Sequence, residues 1–340
     1  MRNDVRSTAG FSLIELMVAV AVFGVITAQL FVVFSNQKRV FTSNERALDV
    51  QEQARMTLDL VSFDTRMAGF MVPRWTAVSS VDGGAGPDDA ADRFCVSDAS
   101  YFNFSGTPSP LDTKTRPFDG ARIVGGVTDD HITVDTLDID GIAPNVDFLA
   151  PSAAGAGNGG GIIIASPTET FCARITEING SEISFDDHSE LTVYVASNTP
   201  ELRAVPAQIY ELDEDTRELR RNGLLLASSI EDLQIEYWLD NAGAPNGTQD
   251  DDTEFPVNEL NDPDPPAGAI PADNSQIRRV RVSVLARTDR EESLDAASGR
   301  LNSVRPALAN RVEGADLDRF RRRSFSASVL PRNLVAVGGS

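Results

Sequence analysis

Residues Gly10–Phe34 read GFSLIELMVAVAVFGVITAQLFVVF, the longest apolar stretch of the chain, and they carry one carboxylate, Glu15. From Phe11 to Phe34 the only polar side chains are Ser12, Glu15, Thr27 and Gln29. As a helix this segment would span roughly 36 Å, enough to cross a bilayer core of about 30 Å. A secretory signal peptide has a shorter apolar region followed by small residues, whereas here the small residues Ala9 and Gly10 come first. The stretch therefore reads as a membrane span. Its acid needs a reason, because an ionised carboxylate in hydrocarbon costs a few kcal/mol and is normally paired. A simple alternative is a glutamate that snorkels to the headgroups.

Working outward, the leader MRNDVRSTAG carries Arg2 and Arg6 against Asp4, so it is net positive and favours the cytoplasmic side. Lys38 and Arg39 at the far end of the span reduce that asymmetry. Residues 35–68 contain no Pro or Gly and keep a helical period up to Gly69, which is placed as a C-cap. The helix expected over 11–68 would be a rod of roughly 85 Å. Ala47, Val50, Ala54, Leu58 and Val61 step along one face of its second half, and Met56, Leu60, Phe63, Met67 and Phe70 along another. One face can pack on the protein's own sheet. The other is expected to meet a neighbouring subunit, unless a large domain wraps the helix on most sides.

Beyond Gly69 the pattern changes to short β-like runs separated by Gly, Asp and Pro: HITVDTLDI, GIIIAS, FCARITEI, SEISF, ELTVYVA and AQIYELD, then DLQIEYWL, RRVRVSVLAR and SFSASVL. In RRVRVSVLAR, Val280, Val282, Val284 and Ala286 share a face, with Arg279, Arg281 and Ser283 on the other. That is the alternation of a half-buried antiparallel strand. The expected fold class is α+β, with a long N-terminal helix packed on an antiparallel β-sheet domain.

The chain has 340 residues, 41% hydrophobic and 24% charged, enough for a sizeable core. A formal net charge of −21 argues against a broad phosphate-binding surface, so nucleic acid is not the default partner. Cys95 and Cys172 lack C-x-x-C spacing, and only His131 and His188 could join them in a metal site, so a disulfide in an exported domain is the better reading than zinc. Such a bridge would stabilise the fold by roughly 4 kcal/mol on the chain-entropy argument. Two buried free thiols are the alternative.

Three further stretches invite chemistry. Gly155–Gly160, GAGNGG, matches the dinucleotide fingerprint by letter, but PSAA precedes it and GIII follows, so the strand–turn–helix context is missing and a loop is expected. Asp186–Glu190, DDHSE, has no second His or Cys nearby to close a metal site and reads as a polar hairpin loop. The stretch 240–276 holds nine acidic residues with no Lys or Arg and is expected as a long exposed loop. Within it Asp250, Asp251, Asp252 and Glu254 are candidate calcium ligands, although no EF-hand spacing is present. A solvated acidic loop is the simpler reading, and no cofactor is otherwise expected. Arg319, Arg321, Arg322 and Arg323 read as the start of a strand that offsets local acid.

The run Gly10-Phe11-Ser12-Leu13-Ile14-Glu15, behind a short charged leader and ahead of an apolar helix, resembles the processing site of type IV prepilins and of type II secretion pseudopilins. The resemblance implies cleavage after Gly10 by prepilin peptidase and N-methylation of Phe11. Glu15 would then lie one turn from the new α-amine, at the positive end of the helix dipole. In an assembled fibre the amine and acid of neighbouring subunits would pair, which makes Glu15 an assembly residue. Main fibre subunits carry a proline near the middle of the span and this chain has none, which favours a minor pilin or pseudopilin.

The runs DLQIEYWL, RRVRVSVLAR and SFSASVL, with DTRMAGF at the end of the helix and RRRSF and LPRNL near the C-terminus, are similar to the PilW group of minor pilins and, more distantly, to the GspJ minor pseudopilins. The organisation expected on that basis is a leader (1–10), a transmembrane and fibre-core helix (11–34), an amphipathic continuation (35–68) and a β-rich periplasmic or extracellular domain (69–340). An inserted subdomain is expected at about 75–205 and the acidic loop at 240–276. The implied protein is not an enzyme. It would be a single-pass inner-membrane minor pilin that primes or caps a type IV pilus at the cell surface. Its partners would be prepilin peptidase and other minor and major pilins or pseudopilins. The alternatives are a minor pseudopilin of a type II secretion system and a pilus-tip adhesin or ligand-binding module.

Overall fold

A computed structural model describes residues 12–70, 72–81, 91–97, 121–125, 128, 130–134, 160–166, 170–179, 181–186, 202–240, 254–257, 277–291, 304–309, 311–314 and 317–334. The first element is a single helix, α1, Leu13–Met67. The chain divides into two compact units, Met1–Asp49 and Val50–Ser340. In the first unit the described part is the N-terminal portion of α1, whose large apolar side chains from Leu13 to Phe34 are half exposed or more.

In the second unit α1 stops where the sequence places its cap. Gly69 takes a positive φ of 78° and its N–H donates to Ser97 O at 2.9 Å. A Cβ there would meet Leu334 Cδ2 at 3.1 Å, so a side chain would be resisted by both conformation and packing. Val50, Ala54, Leu58 and Val61 are buried, as the first apolar face requires, whereas Met56 and Phe63 on the second are 65% and 56% exposed. The domain does not wrap the helix on both apolar sides.

Fourteen strands follow among the described residues: β1 Val78–Val81, β2 Arg93–Val96, β3 Ala121–Gly125, β4 His131–Val134, β5 Gly161–Ala165, β6 Thr170–Asn179, β7 Glu182–Phe185, β8 Arg203–Asp213, β9 Glu218–Arg221, β10 Leu224–Ala227, β11 Ile230–Asp240, β12 Glu254–Val257, β13 Ile277–Arg287 and β14 Arg322–Val329. All their pairings are antiparallel. They form two sheets. The first takes β1–β10, and within it β8–β3–β4–β7–β6–β5 closes on itself because β5 also pairs with β8, Ile163 opposite Val205. The result is a six-stranded barrel. Strand alternation decides its filling: Ile132, Val134, Ile162, Ile164, Phe171, Ala173, Ile175, Ile183 and Phe185 are buried in one cluster, with Ala204 from β8. Outside the same wall, Ile163, Cys172, Val205, Ala207 and Ile209 form a second cluster with Cys95 and the half-buried Trp75.

β8 holds this sheet together. Its first half pairs with β3 and β5, and its second half with β2 and β9. The segment expected as a subdomain over about 75–205 contributes β1–β7 to a sheet that continues through β10 to Ala227. The second sheet is open, in the order β12–β11–β13–β14. Its alternation places Val280, Val282, Val284 and Ala286 of β13 and Leu233, Ile235 and Tyr237 of β11 in one core with Val50, Ala54, Leu58 and Val61 of α1. Burying such faces is the main stabilising term, at roughly 25 cal/mol per Å² of apolar area. The two sheets meet at Asp92, buried, whose carboxylate accepts from Ile235 N at 2.6 Å while its N–H donates to Leu233 O at 2.9 Å.

The acidic stretch is not loop throughout. β12, Glu254–Val257, lies inside 240–276 and pairs with the end of β11, Tyr237 opposite Val257. Composition suggested an unpaired loop, but the short run EFPV runs beside the end of an eleven-residue strand and extends the ladder. At the other edge the expected strand start is present. Arg322 of β14 is held by Glu231 and Asp318, and Arg319 pairs with Glu291 at 2.7 Å.

Candidate processing and assembly site

Gly10 and Phe11 lie outside the described residues. The first described residue, Ser12, precedes α1, and its backbone N–H donates to Glu15 Oε2 at 3.2 Å. Ser12 and Glu15 are spaced as an N-cap and the third helical residue, so the carboxylate reaches back to the cap amide as in a capping box. The acid is therefore satisfied locally and sits in the first turn, where unpaired N–H groups and the dipole favour negative charge. α1 is long and apolar enough to cross a membrane, and none of its most apolar window is buried in the protein. Further along, Thr27 Oγ1 donates to Phe23 O at 2.8 Å, hiding a polar group of the apolar segment on its own backbone.

The far end of α1 is tied to the β domain by residues that sequence reading did not single out. Asp64 is fully buried; it accepts from Arg221 Nε at 3.0 Å, Arg221 Nη2 at 2.8 Å and the Tyr210 hydroxyl. Gln53 Oε1 accepts from Ser228 N and Ser228 Oγ, both at 3.0 Å. A signal was present: stepping three residues from Val61 along the apolar face reaches Asp64, an acid in a buried phase. Nothing in the sequence pointed to its partners on β8 and β9.

Cys95 on β2 and Cys172 on β6 form a disulfide, with Sγ–Sγ 2.08 Å and Cα–Cα 5.7 Å. Both are fully buried. The bridge fastens β2 to the barrel wall, and Gly161 makes room for it, since a Cβ there would meet Cys95 Sγ at 3.2 Å and Ile209 Cβ at 2.8 Å. Beside it, Arg93 bridges Asp186 at 2.7 Å and Glu211 at 3.1 Å. Burial pushes the Glu211 carboxyl above its ordinary value, against the opposing pull of Arg93 and Arg174.

The other candidates do not assemble a reactive site among the described residues. Asp250, Asp251 and Asp252 fall outside them, as do Gly155–Gly159 and 187–190. Glu254 begins β12. No group of three or more His, Cys, Asp or Glu side chains that could hold a metal ion occurs among the described residues. Gly160 leads directly into strand β5, so the fingerprint-like run has no helix N-terminus behind it. Thr128, Asp130 and His131 resemble a relay by composition, but Thr128 Oγ1 and Asp130 Oδ1 both approach the same ring nitrogen, His131 Nδ1, at 2.7 and 2.8 Å. A relay needs the carboxylate and the hydroxyl on opposite nitrogens. The cluster is a turn, in which hydrogen bonds from Thr128 and His131 hold the Asp130 carboxyl below its usual value.

Comparison with known proteins bears on the N-terminal segment. Residues 5–28 match the family described as prokaryotic N-terminal methylation motif. The match covers the second half of the leader from Val5 through Gly10, then Phe11, Glu15 and the first turns of α1. Among solved structures, the type IV-like pilin TTHA1219 from Thermus thermophilus is similar at 15% identity, over 59% of this chain and 95% of that one, with a TM-score of 0.21. No curated protein sequence matches the chain.

Proposed function

We propose that the protein is a minor pilin of the PilW type. Prepilin peptidase cuts it after Gly10 and Phe11 is N-methylated. α1 anchors it in the inner membrane with the β domain on the periplasmic side, and it then joins other pilins to prime or cap a type IV pilus. Its role is structural. The observation that carries this reading is the methylation motif over residues 5–28, which runs directly into an apolar helix that the protein leaves uncovered. The Ser12–Glu15 hydrogen bond adds a chemical step. Before cleavage the acid is satisfied by the cap amide; afterwards the Phe11 amine, one turn away, supplies a charge that a neighbour's Glu15 can take. The exposed Met56 and Phe63 face fits a subunit that packs against others.

Mass spectrometry of the mature chain from peptidase-competent cells tests this. The expected N-terminus is N-methyl-Phe11, and a chain still beginning at Met1 would end the proposal. Deletion of the gene should abolish surface pili; loss of secretion with pili intact would instead favour a type II pseudopilin.

A further inference from the structure

The last four carbonyls of a helix have no partner within it and are usually met by water or by the next few residues. At the end of α1 the partners come from the other end of the chain. Arg332 N donates to Arg66 O at 3.3 Å, and Asn333 Nδ2 donates to Met67 O at 3.2 Å and Ala68 O at 3.3 Å, across about 265 residues of sequence. These residues belong to LPRNL, the motif noted near the C-terminus.

The segment is a compact turn, with Leu334 N donating to Pro331 O at 3.2 Å. It is fixed at its far end by two contacts. Leu334 is fully buried and packs over Gly69, whose missing Cβ leaves the space it occupies. Its carbonyl accepts from the buried Arg278 Nη1 at 3.0 Å. The bonds to the helix are at the long end of the hydrogen-bond range, so they are individually weak. Leu334 belongs to the core shared by α1 and the open sheet, whereas the barrel interior is a separate cluster, so the segment can open without disturbing the barrel.

We infer that Pro331–Leu334 is a latch, a strap that closes on the end of α1 and opens independently of the barrel. Closed, it caps the helix and fixes Ala68–Phe70, where the chain leaves α1. Open, it exposes the carbonyls of Arg66, Met67 and Ala68 and loosens those residues, while the barrel strands β5 and β6, the latter bridged to β2 by the disulfide, stay as they are.

Hydrogen exchange on the full-length chain in detergent micelles tests the latch, with two variants that act on its two parts. Asn333→Asp replaces the donor by a charge that repels carbonyls, and Leu334→Ala removes the plug. In each, exchange across 62–72 should quicken by about tenfold, the effect of one hydrogen bond's worth of local opening, with β5 and β6 unchanged. Unchanged exchange at 62–72 in Asn333→Asp overturns the inference. So does acceleration that spreads equally to β5 and β6 in either variant, since the segment would then be part of the common core.

Discussion

Two carboxylates on one helix illustrate opposite solutions to the same problem. Glu15 stands in an exposed apolar segment and is satisfied by a single backbone amide, three residues away. Asp64 is fully buried, and its partners are a tyrosine and an arginine brought from β8 and β9. A buried acid with its own partners fixes a fold, whereas an exposed acid with a weak local partner is available to another molecule. The difference separates the two carboxylates: Asp64 is built into the β domain, and under the proposed function Glu15 is the one that a neighbour would take.

The largest effects should come from breaking that contrast directly. Asp64→Ala leaves Arg221 and the Tyr210 hydroxyl without their acceptor in a buried site and should cost about 3 kcal/mol of domain stability. Glu15→Ala should leave that stability unchanged within about 0.5 kcal/mol, as for a surface site. Urea unfolding of both variants, followed by near-ultraviolet circular dichroism, measures the difference. Equal losses would erase the division of roles. Glu15→Ala should still be cleaved after Gly10 yet enter fibres poorly, which quantitative recovery in sheared pili would show; normal incorporation would refute its pairing role.

A second pair sharpens the comparison between the faces of the helix. Leu58→Ala empties a site in the core against the open sheet and should cost about 2–4 kcal/mol. Phe63→Ala removes a ring that is 56% exposed and should cost less than about 0.5 kcal/mol in the isolated protein. Its penalty should appear instead as reduced co-purification with other pilins. A Phe63→Ala protein that unfolds as readily as Leu58→Ala would mean that the face is already covered.

The smallest effect concerns pH. The Glu211 carboxyl is raised by burial, so its neutral form is favoured in the fold relative to the unfolded chain. Its contribution to stability is therefore full below the ordinary carboxylate value and is lost as pH rises through the elevated one. Glu211→Gln should remove that component, so the difference between wild-type and variant unfolding free energies should slope downward across this window. A flat difference curve would show that Arg93 and Arg174 compensate the buried charge completely.

Much of the helix was legible from local pattern, because capping and apolar period are written in nearby residues. Gly69 ended α1 as expected, and β5, β6, β7, β8, β11, β13 and β14 coincide with runs that alternate or are continuously apolar. The barrel was not legible. Its closure depends on β5 meeting β8, Gly161 opposite Ala207, and on a strand order that departs from chain order. Short strands such as β1 and β2 carry too few residues for a period to show, and β12 was hidden by the acidity around it. The same limit applies to the joint: Asp64 sits at a readable step on the helix, but Tyr210, Arg221 and Asn333 reach it or its end from distant sequence. At the N-terminus the opposite holds, since the motif is contiguous and the family match falls on it.

β8 has a mechanical consequence. All eleven of its residues have ladder partners, from β3 and β5 beside the first half and from β2 and β9 beside the second. To slide such a strand along its own axis, many ladder bonds must fail together in shear, whereas a strand pulled sideways from an edge unzips one bond at a time. A domain organised around a strand flanked by four others is therefore suited to bearing tension along that direction, and its edges, β1, β10, β12 and β14, are where it would yield first.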